Sequence, residues 1–135
     1  MPKIDVPNVP ERRGSGYPAP YAEAAKDRIK QALGDAGGLS DFGVNLTRLP
    51  PGGWSSQRHW HTREDEFVYV LSGELVLITD AGEQPLRPGD FASQRPLLQH
   101  LPKHRLHRPG APPKRLVEAC LIECRIVVFR HGRER

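Results

Sequence analysis

The chain is poor in cysteine, holding only Cys120 and Cys124 in 135 residues. Two thiols so close together could share one face of a strand, and they give no disulfide framework; reduced, buried thiols are the plainer reading. Long apolar runs are also missing. The longest are short segments such as 67–71, far below the roughly 18 residues that a bilayer span requires, so no membrane helix is expected. The opening MPKIDVPNVPERRGSG lacks the apolar centre of a signal peptide, which points to a cytoplasmic protein. Neither an internal repeat nor a low-complexity tract is visible.

What the chain has in quantity is punctuation. Thirteen glycines and fourteen prolines break it into short pieces, which favours many turns and short strands over a helical bundle. A length of 135 residues suits one domain with one core. Residues 1–40 read as an arm made irregular by Pro2, Pro7, Pro10, Pro18 and Pro20, followed by one short helix. The helix is predicted over Tyr21 to Leu33, YAEAAKDRIKQAL, with Gly34 as a left-handed stop. From Asp41 to Leu49, Phe42, Val44 and Leu46 alternate with Gly43, Asn45 and Thr47, the pattern of a half-buried strand. Glu74 to Thr79 is expected as a further strand, turning at Asp80, Ala81 and Gly82 towards Gln84 to Leu86.

The densest chemistry lies between Gly53 and Gly73, GWSSQRHWHTREDEFVYVLSG. On a strand, residues two apart face the same way, so His59 and His61 converge while Trp60 turns aside. Thr62, Arg63, Glu64 and Asp65 suit a chain reversal, after which Glu66 to Leu71 reads as a second strand. An antiparallel return of this kind sets the Glu66 carboxylate beside the two imidazoles. Buried charge beside imidazole calls for a partner, and a cation is an economical one. The alternative is a hydrogen-bonded polar patch without metal.

Gly53, five residues, His59-x-His61, four residues, Glu66, six residues and Gly73 together resemble the first motif of the cupin superfamily. The flanks agree: a Pro51-Gly52-Gly53 turn before the pair, Tyr-Val-Leu-Ser-Gly-Glu at 69–74, and Leu86-Arg87-Pro88-Gly89-Asp90 beyond. The likeness, clear over about residues 42–92, is to small single-domain bacterial cupins. It implies an all-β fold, a double-stranded β-helix or jelly-roll barrel over residues 41–130. It further implies one divalent transition metal (Fe, Mn, Ni, Co or Zn) on His59, His61 and Glu66. In the family a later histidine completes the set, and counting eleven from Gly89 lands on His100. The turn before it, Arg95 to Gln99, carries leucine where a glycine is expected, and His104 lies four residues further as a displaced option.

The charge balance changes at the same place. Residues 1–92 hold ten Lys or Arg against thirteen Asp or Glu, whereas residues 93–135 hold ten against three, together with four of the six histidines. The net +4 therefore belongs to this atypical basic C-terminal segment. Three readings are open: a contact for nucleic acid or another polyanion, a solvated loop with closing strands over Leu116 to Phe129, or a reading frame shifted near codon 93. The second is the simplest, and no nucleic-acid partner is expected.

Other residues carry weaker signals. Trp54 and Trp60 are expected to pack, and Tyr69 to lie in the core or on a dimer surface. Arg48, Gln57 and Arg63 are candidates to reach an anion at the barrel mouth, with solvent exposure the simpler expectation. A mixed nitrogen and oxygen donor set suits several divalent metals and favours anionic or hydroxyl-bearing small molecules. Catalytic residues beyond the ligands are not legible, so a metal-dependent oxygenase or isomerase stands beside a non-catalytic, ligand-binding or regulatory cupin and beside a degraded one. The outward faces of Phe67, Tyr69 and Leu71 suit a homodimer.

Overall fold

The computed structural model describes residues 3–59, 61, 64–94 and 117–131, and for 117–124 the backbone alone. Seven antiparallel strands form one sheet: β1 (Glu11–Arg13), β2 (Ile29–Ala32), β3 (Phe42–Leu49), β4 (Asp65–Thr79), β5 (Gly82–Leu86), β6 (Phe91–Gln94) and β7 (Val117–His131). They are ordered β1-β2-β3-β7-β4-β5, and β6 pairs with the first half of β4. This is an all-β, jelly-roll architecture with one short helix, α1 (Leu33–Ala36).

The long strands β4 and β7 form the spine. β7 lies between β3 and β4, pairing along its length with β4 and over its last eight residues with β3. It is one strand where a closing pair was expected, and it brings residues from the basic tail into the middle of the sheet. β4 likewise runs unbroken through the position where two strands were predicted. Register shifts between Val70 and Leu75 bend it, and Gly73 takes a positive φ of 79° there. The bend lets one strand serve both halves of the fold, with β6 on Glu66–Tyr69 and β5 on Leu75–Thr79.

The predicted helix over Tyr21 to Leu33 is not formed. A turn of 3-10 helix occupies Glu23–Ala25, β2 follows, and α1 begins only at Leu33. The helix formers of this segment are overruled by tertiary pairing, because Ile29–Ala32 hydrogen-bonds between β1 and β3. Gly34 has a different use from the left-handed stop expected of it. A Cβ there would come within 2.8 Å of the Val44 backbone nitrogen, so its hydrogen lets α1 lie against β3.

Registers align the inward-facing residues in rows across neighbouring strands. One row runs Lys30, Thr47, Ile126, Val70; the next runs Ala32, Asn45, Val128, Val68, Ala92; a third runs Gly43, Arg130, Glu66, Gln94. The core fills the lower rows with Leu49, Val68, Val70, Leu75, Leu77, Leu86, Ala92 and Ile126, all buried. Each of the larger side chains contributes about 1.5–3 kcal/mol by leaving water. Towards Glu66 and Arg130, and on the β2–β3 side at Lys30, Thr47 and Asn45, the interior turns polar, and the candidate site begins.

On β3 the inward face differs from the one its apolar pattern suggests. Thr47 is buried at 4% exposure, while Phe42 on the alternate face is 48% exposed. Alternation identifies two faces without saying which is inside, and here the polar one lines the interior.

Candidate metal centre and cavity

Glu66 is the fixed point of the site. It lies in the interior row of β4, opposite Arg130 of β7 and Gln94 of β6, and is 5% exposed. Its Oε1 accepts from the Arg130 guanidinium, with Nε at 3.0 Å and Nη2 at 2.9 Å. Its Oε2 is buried and accepts no hydrogen bond of ordinary geometry. The nearest groups to that oxygen are the Nε2 atoms of His61 at 3.3 Å and His59 at 3.5 Å.

The two histidines reach this point from an irregular segment. Residue 59 makes an isolated bridge and 61 lies outside regular structure, so the regular strand expected for the pair is absent. Convergence survives because each ring is held at its other nitrogen. His59 Nδ1 donates to the Gln57 carbonyl at 2.9 Å, which fixes the tautomer and leaves Nε2 as the free lone pair. His61 Nδ1 faces Glu64 Oε2 at 3.1 Å, with both side chains 12% exposed. A carboxylate behind a histidine in this way orients the ring and raises its basicity. The rings meet edge-on with centroids 4.8 Å apart and Nε2 atoms 3.1 Å apart.

Three acceptor lone pairs therefore face one small volume. Two ligands on an ion about 2.1 Å away, at 90–109° from each other, are separated by about 3.0–3.4 Å. The observed spacings of 3.1, 3.3 and 3.5 Å fit that requirement closely. Electrostatics agree. Burial alone pushes Glu66 up, but His59, His61 and Arg130 outweigh it and hold the carboxyl well below its usual range. His59 is raised, chiefly by Glu66, with burial opposing. The anionic trio is thus ready for a cation, and in its absence a proton on His59 is the available substitute.

Of the four metal-site residues predicted, His59, His61 and Glu66 are brought together. His100 lies outside the described residues, as do His104, Trp60 and Arg63. Arg130 was not legible as a site residue, and Glu64 was expected in the turn, near the metal only after a one-residue slip. Glu64 reads as part of a polar turn, and Arg130 reads as one of many tail charges; only the β4–β7 register reveals it opposite Glu66.

Beside the trio is a cavity of about 280 Å³ whose walls include both Glu66 and Arg130. Asn45, Thr47, Val68 and Val128 of the sheet line it, together with Tyr17, Arg28 and Lys30. Arg28 ties two segments together, donating to the Gly14 carbonyl through Nε (3.3 Å) and Nη2 (3.1 Å) and to the Ser55 carbonyl through Nη1. Arg48 and Gln57, candidates for the mouth with solvent exposure the simpler expectation, do other work: Arg48 pairs with Glu11, and Gln57 donates to the Tyr21 carbonyl at 2.6 Å. No helix among the described residues is long and apolar enough to cross a membrane.

Comparison with known proteins agrees with this geometry. The Cupin domain family matches residues 45–117, extending past residue 93, where the motif pattern fades by eye. A cupin-superfamily sugar phosphate isomerase from Silicibacter pomeroyi is similar at 39% identity, with a TM-score of 0.81 over 98% of this chain and 76% of that one. A protein from Acidithiobacillus ferrooxidans, provisionally named a sugar phosphate isomerase, is 27% identical with a TM-score of 0.65, covering 79% of this chain and 60% of its own. Ectoine synthase from P. lautus shares the fold alone, at 19% identity and a TM-score of 0.53 over 77% of this chain and 63% of that one. No protein of curated function matches the sequence.

Proposed function

Given that the chain belongs to the cupin family, we propose that it is a metal-dependent cupin acting on a small anionic, hydroxyl-rich molecule, with isomerisation of a sugar phosphate as the favoured reaction class. One divalent transition metal, from among Fe, Mn, Ni, Co and Zn, is held by His59, His61 and Glu66. The observation that carries this reading is the buried, unpartnered Glu66 Oε2 aimed at two imidazole Nε2 atoms. A bound divalent ion with open positions supplies Lewis acidity towards a carbonyl or hydroxyl oxygen.

The protein's own groups define the rest. Glu64 and the Gln57 carbonyl hold the imidazoles at the correct tautomer and angle. Arg130 occupies Glu66 Oε1 and so directs Oε2 to the centre. The reaction class follows the names of the two isomerase-like neighbours. Metal analysis of the purified chain, followed by a nuclear magnetic resonance assay of aldose and ketose phosphates, tests both parts. Interconversion that vanishes in His61→Ala is the expected result; metal-loaded protein inert towards every sugar phosphate overturns the reaction class.

A non-catalytic binding module is the second reading. It is favoured by the cavity lining, in which Glu66 is the one carboxylate among the described residues and is already committed to the trio. Thermal stabilisation by a ligand without turnover is its signature.

The outer face of the sheet suits a second copy of the chain. Phe91, Phe67 and Phe129 form a contiguous outward row, with ring centroids 5.2 Å and 5.8 Å apart, flanked by Tyr69 and Leu71. Homodimerisation through this face removes the exposed apolar surface from water. A monomer at micromolar concentration in analytical ultracentrifugation contradicts it.

A further inference from the structure

The cavity carries positive charge that the metal trio does not use. Arg28 and Lys30 enter from β2 and the residue before it, and both line the cavity. Asp35 is the carboxylate that acts on Lys30, and the influences on Arg28 are burial, Tyr17 and Arg130. Arg28 is satisfied by two backbone carbonyls, which leave its positive charge uncancelled. Lys30 faces inward in the row of Thr47. Burial pushes its ammonium below the usual value, and Arg130, Arg28 and Arg12 push it further; Asp35 is the weak opposing influence. On the N-terminal arm, the Ser15 hydroxyl oxygen is buried without a partner, and Ser15 lines the same cavity.

Among the described residues that line the cavity, three are cationic and one, Glu66, is a carboxylate, which Arg130 already matches. Two surplus charges, together with a buried hydroxyl lacking a partner, describe a receptor for a compact dianion. A neutral hydroxyl group would leave the surplus uncompensated, and a monoanionic carboxylate would cancel only half of it.

We infer that Lys30, Arg28 and Ser15, which line the cavity together, form an oxyanion subsite that takes the phosphate of a phosphate monoester, while the remainder of the ligand extends towards Glu66. Lys30 supplies the mobile charge and Ser15 a hydroxyl donor. Arg28 supplies a fixed charge and, through its carbonyl partners at Gly14 and Ser55, ties the arm to the wall of the site. The subsite deepens the reading given under Proposed function by assigning the anionic part of the ligand to this chain's own residues, yet it does not depend on a metal.

The full-length chain is titrated calorimetrically with inorganic phosphate and, separately, with acetate, and metal content is measured on the same samples. Phosphate is expected to bind at least about tenfold more tightly than acetate. Lys30→Gln is expected to weaken phosphate about tenfold or more, a change in line with loss of one charge-assisted hydrogen bond, with metal content unchanged. Ser15→Ala, a milder change, is expected to weaken it severalfold while leaving the thermal midpoint without ligand near that of the parent. Glu66→Gln is expected to keep phosphate binding while losing metal. Equal phosphate affinity in the parent, Lys30→Gln and Ser15→Ala overturns the subsite, as does phosphate binding abolished by Glu66→Gln and intact in Lys30→Gln, which places the anion on the ion. Acetate binding as tightly as phosphate overturns the dianion assignment. Lys30-dependent phosphate binding in a protein that carries no metal upholds the subsite while removing the metal-centred reading.

Discussion

On β4, Glu66, Val68 and Val70 point inward and are buried, while Phe67, Tyr69 and Leu71 alternate with them on the outside, where Tyr69 is 36% and Leu71 47% exposed. On β7, Ile126, Val128 and Arg130 face in and Phe129 faces out. The outer face is the more aromatic of the two; the inner face carries the charge. Hydrophobicity alone therefore assigns the faces wrongly near the site. The interior that holds Arg28, Lys30, Arg130 and Glu66 gives up apolar contact there, and the apolar core lies around Leu49, Leu75 and Ile126.

The comparison breaks first at the core. Ile126→Ala removes a side chain with no exposure from the lowest interior row and is expected to destabilise by about 2–5 kcal/mol in denaturant titrations. A loss below about 1 kcal/mol would mean that this row is not the packed one. A smaller effect is expected behind the metal trio. Glu64→Gln leaves His61 in place but removes the charge at its Nδ1, and metal affinity is expected to fall about 10–100-fold. Unchanged affinity by competition with a chelating dye would show that Glu64 does not support the ring.

Next is the dependence of metal binding on pH. His59 must be neutral to bind, and its value lies above the ordinary 6.5 because of Glu66. Below that value a proton competes with the ion, so affinity is expected to drop about tenfold per pH unit on the acid side and level off on the alkaline side. Calorimetry in buffers of differing ionisation heat checks the sign: proton release on binding near pH 6.5 is expected, and proton uptake would contradict the account. The smallest effect belongs to the outer face. Phe91→Ser removes a ring that is 61% exposed and stacks on Phe67, so the expected change in monomer stability is about 1 kcal/mol, with a shift towards monomer in sedimentation. A loss as large as that of Ile126→Ala would erase the distinction between the faces.

The fold and the trio were legible in the sequence for one shared reason: they rest on local spacing. His59, His61 and Glu66 lie within eight residues, Gly73 marks the bend of β4 beyond them, and the turn at Asp80–Gly82 marks the end of that strand. Residues whose role depends on distant pairing were hidden. Arg130 becomes a site residue only through register with Glu66, sixty-four positions away. Lys30 and Arg28 were hidden by a segment with strong helical composition, which β1 and β3 draw into a strand. Thr47 and Asn45 were hidden by the assumption that the apolar face of β3 is the inner one. Glu64 was expected among turn residues, where a carboxylate is ordinarily solvated.

Elemental analysis of the purified full-length chain beside its Glu66→Gln variant tests the centre of this account most directly. About one divalent transition metal per chain in the parent, with almost none in the variant, is the predicted result. Equal metal content in the two proteins, or none in either at neutral pH with metal supplied, would contradict it.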